Sequence, residues 1–234
     1  MLILRSLPRV FVPEADSSGP IELPKDEITK LRKVLRLSPG ADIAVLPNDG
    51  TLIHCKLAIH TAEPIATYIP NTEPSLQVTL AQALPKGDKL DEIVRACTEI
   101  GVTHFELFSS ERTVVRWDEK KTQDRIQRLE AIAREAAEVC FRTKLPTFGF
   151  SPNLKAVLKK YPDSIVLSEV EGLTKAMTIT GDSPVIVVGP EGGWSKPELA
   201  LIGERGVTLG PRVLRVDHAG PAAAAMLLLQ IQRG

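Results

Sequence analysis

The chain has 234 residues, 43% of them hydrophobic and 25% charged, a globular composition large enough for one large domain or two modest ones. Its 29 basic residues balance its 29 acidic ones, which excludes a protein that grips nucleic acid through bulk positive charge and leaves only local patches for that purpose. Cys55, Cys97 and Cys140 are too dispersed for a zinc site and fit a reducing compartment; Arg5 and Arg9 break the apolar start, so a cytoplasmic location with no membrane and no metal is expected.

The first 70 residues read mainly as short strands. Arg9 to Val12 is one and Asp42 to Leu46 another, followed by the turn Asn48-Asp49-Gly50. Thr51 to His60 alternates, with Ile53, Cys55, Leu57 and Ile59 on one face and Leu52, His54, Lys56 and His60 on the other. Ala66 to Ile69 adds a further strand. One helix is expected near Asp26 to Leu37, stopped by Pro39-Gly40. Short strands with one helix predict a small β-barrel over residues 1–70.

Pro70-Asn71-Thr72-Glu73-Pro74 reads as a linker, and from residue 75 to 234 strands alternate with helices. Leu76 to Leu84 is a strand. Asp88 caps a helix with Leu90, Ile93, Val94, Cys97 and Ile100 at helical spacing, ending at Gly101. His104 to Phe108 is a strand and Thr122 to Phe141 a long helix striped by Ile126, Leu129, Ala133, Ala136 and Cys140. Ile165 to Leu167 and Val185 to Val188 are short strands. This alternation predicts an α/β domain with a parallel sheet and helices on both faces. The longest apolar run, Ala222 to Leu229, is too short to cross a bilayer.

Three segments follow short apolar strands, where an open α/β sheet binds its ligand. In Val188-Gly189-Pro190-Glu191-Gly192-Gly193, closely spaced glycines allow near backbone approach, and Ser195 with Glu198 forms a capping box, Pro197 lying in the first turn. A tight turn with no ligand is the plain alternative. Leu209-Gly210-Pro211-Arg212-Val213-Leu214-Arg215-Val216-Asp217-His218 is a Gly/Pro-bounded loop, after which an apolar helix is expected from Pro221 to Gln232. Leu167-Ser168-Glu169 is the third, weak alone. No GxxxxGK[ST], GxGxxG or GxSxG occurs, which removes the P-loop, the dinucleotide fingerprint and the nucleophile elbow. What remains is a pocket of backbone groups suited to a nucleoside-like ligand.

VVGPEGGWSKPEL followed by LGPRVLRVDHAGPAAAAMLLLQ resembles the paired signature of the 16S ribosomal RNA uridine-N3 methyltransferase family. KLRKVLRLSPG, KGDKLDEIVRACTEIGVTHFELFSSERTVVR and REAAEVCFRTKLP resemble further family segments, in order, over nearly the whole chain. The resemblance implies a PUA-like β-barrel followed by a SPOUT-class methyltransferase domain with a C-terminal trefoil knot. It implies S-adenosylmethionine as cofactor, 16S ribosomal RNA as partner, and a homodimer. The cofactor residues it implies are Leu167, Ser168, Glu169, Val188, Gly189, Pro190, Gly192, Gly193, Leu209, Gly210, Arg212, Val213, Leu214 and Val216. Two runs depart from the family pattern. Glu138-Val139-Cys140-Phe141-Arg142 lacks the usual Gln, and Val216-Asp217-His218 stands where Thr-Glu-Thr is common.

Methyl transfer to N3 requires positioning and removal of a weakly acidic proton. Asp217, Glu191 and His218 are candidate bases. Arg215 and Arg142 are candidate stabilisers of negative charge, and Asp217 paired with Arg215 is preferred. A local ion pair holding the loop is the alternative for that pair. RNA contacts are expected from Arg9, Arg32 and Arg36 in the first domain and from Lys86, Arg112 and Arg142, with solvated surface charge as the alternative. Two other functions fit the same residues: a SPOUT enzyme acting on another RNA or a ribose hydroxyl, and a non-catalytic RNA-binding protein.

Overall fold

The computed structural model describes residues 4–170, 172–178 and 181–229. The chain forms two compact units; the first runs to Glu73 and also takes in Arg134–Leu145, and the second comprises Pro74–Ala133 and the chain from Pro146.

In the first unit, β1 (Arg9–Phe11), β2 (Ile21–Glu22), β3 (Asp42–Leu46), β4 (Leu52–Leu57) and β5 (Thr61–Tyr68) form a sheet in the order β1-β3-β4-β5-β2. Only β1 and β3 pair in parallel. The β3–β4 hairpin turns on Asn48 and Gly50, both at positive φ, while Asp49 Oδ1 accepts from Thr51 N at 2.8 Å. The sheet is covered on both faces: Ile53, Cys55 and Leu57 join one apolar cluster, and Leu52 joins Phe11, Leu46, Ala137 and Phe141 in another. Ile59, expected on the same face as Ile53, Cys55 and Leu57, is 61% exposed because β4 ends at Leu57. β5 starts five residues before the expected strand. Pro64 hid it, and Pro64 is tolerated at a break in the β4 register beside Cys55. The expected helix begins as α1 (Lys25–Thr29), widens into a π-turn over Lys30–Val34 and stops at Arg36, whose φ of 55° ends it ahead of Pro39.

The second unit is built on six parallel strands in the order β11-β9-β10-β6-β7-β8. They are β6 (Thr79–Ala83), β7 (His104–Phe108), β8 (Thr147–Ser151), β9 (Ile165–Leu167), β10 (Val185–Val188) and β11 (Gly206–Val207). Strand alternation splits the core. Leu80, Leu107, Ile186 and Val188 pack with α2 (Lys89–Ile100), α6 (Val216–Leu228) and the first half of α3 (Glu119–Cys140). Ala81, Ala83, Phe108 and Val187 pack with α4 (Leu154–Lys160) and α5 (Lys196–Ile202). Gly101 ends α2 in the left-handed conformation, as its place after the periodic run predicts.

The C-terminal helix differs from expectation. It begins at Val216, so Pro221 lies inside it rather than in its first turn. Gly220 brings it against the sheet: a Cβ there would stand 3.1 Å from Leu80 Cδ2. Its surface is also not uniformly covered. Ala223, Ala224 and Leu227 are buried, whereas Met226 and Leu229 are exposed, and the expected last turn, residues 230–232, lies outside the described residues. Among the described residues no helix is long and apolar enough to cross a membrane.

Candidate active site

A cavity of about 680 Å³ opens at the C-terminal ends of β9 and β10, the neighbouring strands from which the predicted loops emerge. Leu167, Ser168 and Glu169 line it from the end of β9, and Val188 through Trp194 line it from the end of β10. Val213, Leu214, Arg215 and Val216 supply a third side. Of the cofactor residues expected from the sequence, Leu209, Gly210 and Arg212 do not line it. Gly210 serves its own turn instead, exchanging hydrogen bonds with the Thr208 hydroxyl at a φ of 130°. Leu209 packs against the core, and Arg212 is exposed.

One residue that sequence reasoning passed over ties two of these loops together. Trp194 is buried, stacks on Phe108 at 6.4 Å, and donates its indole N–H to Leu167 O at 2.9 Å. The ring lies against Gly189, where an added Cβ would stand 3.0 Å from Cε2 and Cζ2. The requirement for glycine is therefore steric at Gly189 and conformational at Gly193, whose φ is 66°. Gly192 is confined from one side only: its Cβ would meet Arg112 Cβ at 3.3 Å.

The capping box at α5 is present, with Ser195 and Glu198 bonded reciprocally. Glu198 does more than cap. Its Oε1 also accepts from Ser110 Oγ at 2.8 Å and Glu111 N at 3.0 Å, which fixes the loop after β7. That loop carries Arg112 to the rim, where it donates to Gly192 O at 2.7 Å. Arg112, expected to meet RNA, is thus part of the cavity wall.

Glu191 accepts from Lys89 Nζ at 2.7 Å and from Lys86 N at 3.0 Å. Burial pushes its carboxyl up, but the bonds from Lys89, from its own amide and from Lys86 outweigh that and hold it below the usual range. Asp217 is also held low: its own backbone amide at the start of α6 lowers it most, burial opposes this, and Arg215 and His218 lower it further. Arg215 Nε lies 3.3 Å from Asp217 Oδ1, and His218 Nε2 lies 3.7 Å from Oδ2. Asp217 is not on the cavity wall; Arg215 is, with most of its side chain exposed.

One expected RNA contact requires correction, and a second is engaged within the fold while remaining half-exposed. Arg142 is buried, and Glu73 Oε2 takes both its Nε at 3.3 Å and NH2 at 3.0 Å, so its charge is spent inside the first unit. Arg9 is similarly engaged, bonding Glu138 O at 2.5 Å and lying 4.9 Å over the Phe141 ring. That ring is the departure noted in the sequence; Phe141 fills a core cluster at a φ of 68°. Arg32 is partly buried and donates to Ala58 O at 3.2 Å, whereas Arg36 and Lys86 are exposed.

A family pattern described as RNA methyltransferase domain matches residues 72–228. Ribosomal RNA small subunit methyltransferase E of Synechocystis is 34% identical, the match covering 93% of this chain and 76% of that one. The Bacillus subtilis protein of the same name is 30% identical over 88% of this chain and 89% of its own. Among solved structures, ribosomal RNA small subunit methyltransferase E from Neisseria gonorrhoeae, bound to S-adenosyl methionine, superposes with a TM-score of 0.84. It is 29% identical, covering 94% of this chain and 96% of that one. Cavity, loops and sequence thus coincide, and the chain belongs to the ribosomal RNA small subunit methyltransferase E family.

Proposed function

We propose that this protein transfers a methyl group from S-adenosylmethionine to N3 of a uridine in 16S ribosomal RNA. The observation that carries the reading is the convergence of three loops, distant in sequence, on one cavity of a size usual for cofactor sites. The residues present fit a nucleoside-like cofactor. Val188, Leu199, Leu214, Val216 and Ala219 offer apolar surface, and the buried Ser168 hydroxyl on the wall has no hydrogen-bond partner among the described residues. The cofactor-bound gonococcal relative supports the cofactor, the names of the cyanobacterial and Bacillus relatives support the substrate, and the resemblance in sequence supports the N3 atom.

When bound, the cofactor supplies a methyl group already activated on a sulfonium. The loops at Ser168, Gly189 and Leu214 hold it. Arg215 on the wall stabilises negative charge on the uracil oxygens as N3 gives up its proton. Asp217, ionised at neutral pH, holds Arg215 and is assigned the N3 proton. Glu191 is anchored by Lys89 and the Lys86 amide, which suits it to holding the Gly-rich loop rather than to proton transfer.

The same reading includes a PUA-like barrel in residues 1–70 and a SPOUT domain in residues 75–234 with its C-terminal segment knotted. The insertion of β10 between β9 and β6, with α6 returning from beyond β11 to pack on α2, supports the knot. It also includes a homodimer that covers Met226 and Leu229, and a cytoplasmic location set by the substrate. Incubation of 16S ribosomal RNA with the protein and labelled S-adenosylmethionine, followed by mass mapping, tests the central claim. One N3-methyluridine is expected. A methyl on a ribose or another RNA redirects the reading, and cofactor-free, transfer-free RNA binding replaces it.

A further inference from the structure

Behind the same loops that rim the cavity lies a second, smaller groove of about 300 Å³. The connection from β6 gives Pro85, Gly87 and Asp88 to the groove, and Lys89, the first residue of α2, to the cavity. The connection from β7 to α3 gives Arg112 to the cavity and Val115 and Trp117 to the groove. The two depressions therefore draw on the same two connections.

The groove's chemistry differs from the cavity's. Lys121, Arg125 and Arg128 line it from α3, at spacings of four and three that set them on one helical face. Arg128 is paired with Asp91, which neutralises that acid within the groove. The ammonium of Lys121 and the guanidinium of Arg125 are exposed and form no ion pair among the described residues. With Asp88 the only other acid on its lining, the groove is net positive. Trp117 is half-buried and stacked on Phe150 at 6.1 Å with 22° between the planes, which fixes the indole as a rigid platform.

An oriented aromatic face beside unpaired cations is the arrangement that takes a stacked base with its phosphates, irrespective of base identity. An acidic peptide would use the cations but leaves the indole without a role. We propose that this groove seats single-stranded RNA flanking the methylated uridine, Trp117 stacking a base while Lys121 and Arg125 meet phosphates. The inference rests on the RNA methyltransferase reading and adds to it the surface that holds the strand as the target enters the cavity.

The test measures binding of 16S ribosomal RNA and of a short single-stranded oligouridine by fluorescence anisotropy across a salt series, with S-adenosylmethionine binding by calorimetry. Trp117→Ala should raise the RNA Kd roughly tenfold, and Trp117→Phe should recover most of that loss. Lys121→Glu with Arg125→Glu, both on exposed surface, should weaken RNA binding at low salt. Lys121→Ala with Arg125→Ala should flatten the salt slope by about 1.4, two single-strand contacts. Cofactor affinity should hold in every variant. If the wild type methylates RNA while these variants keep its Kd, RNA KM and salt slope, the groove assignment falls alone. If the wild type binds cofactor but no RNA, the functional reading falls and the groove with it.

Discussion

Replacement of Gly189 by alanine should damage the cofactor site more than replacement of either neighbouring loop glycine. The added methyl would lie 3.0 Å from two atoms of the Trp194 ring, closer than carbon atoms approach without displacement. The ring cannot easily yield, since it is stacked on Phe108 and bonded to Leu167 O. Overpacking of this kind costs about 1–3 kcal/mol, and loss of the indole hydrogen bond adds roughly 1 kcal/mol. A fall in Tm of roughly 5–10 °C is expected for a chain of this size. Because Trp194 joins the β9 loop to the β10 loop, the same change should weaken S-adenosylmethionine binding by at least an order of magnitude. Gly193→Ala is the control: nothing lies within 4 Å of its Cβ, so only the left-handed backbone costs, at about 1–2 kcal/mol. Gly193→Asn should cost less still. Gly192→Val should fall between, pressing on Arg112 at the rim. Differential scanning fluorimetry and calorimetry give both quantities. If Gly189→Ala keeps the wild-type Tm and cofactor affinity, the steric account of this loop is wrong.

Arg215→Ala should lower kcat by about 10²–10³ while leaving S-adenosylmethionine affinity within a few-fold. Asp217→Asn should lower kcat by a similar factor, since Asp217 is assigned the N3 proton; a much smaller loss would show that it acts only by holding Arg215. Glu106 is buried and accepts from His104, Lys160 and Ser151. Burial raises its carboxyl, but those bonds prevail and hold it at about 2. Its folded form therefore favours ionisation, and the stability this brings is present above about 4.5 and lost as pH falls toward 2. Glu106→Gln should cost about 1–3 kcal/mol at pH 7 and flatten urea-denaturation stability across that acid range. Parallel curves for the two proteins would contradict this. Lys33→Ala with Arg36→Ala should lower the salt slope of RNA binding by about 0.7–0.9 per contact, and Arg142→Ala should lower Tm instead.

Much of this was legible in the sequence, and the failures have physical causes. β3, β7, β9 and β10 match their expected bounds because each is a short apolar run closed by a turn residue. β8 is hidden because Gly149 interrupts TFGFS, yet a glycine is favoured there: a Cβ would approach Glu106 Oε2 to 2.6 Å and force that carboxylate to shift. α4 was missed because seven residues show too little periodicity, although its Asn153 cap accepts from Ala156 N at 2.9 Å. The loops that line the cavity are marked by their glycine spacing, but Trp194 gives no such signal, since its role depends on the strand beside it. Arg142 differs from expectation because a sequence shows a charge and hides its partner. Glu73 lies 69 residues from Arg142 along the chain, so no local pattern could pair them.

The neutral balance of the chain also reads differently once burial is known. Among the described residues Glu27, Glu106, Glu138 and Glu198 are buried, against Arg142 alone among the basic residues. Glu138 pairs with Lys30, Glu106 with Lys160, and Glu198 spends both oxygens on loop groups. These carboxylates organise the interior and contribute little field at the surface, where the water-facing charge is correspondingly tipped toward positive. Counting them equally with exposed Lys33, Arg36, Arg125 and Arg212 conceals that imbalance. A zero net charge is thus compatible with RNA as the substrate, because among the described residues four of the 29 acids lie inside the fold while exposed bases can gather in local patches. Mutation separates the two populations: removing a buried acid should lower stability first, and removing an exposed base should alter the salt dependence of RNA binding while Tm holds.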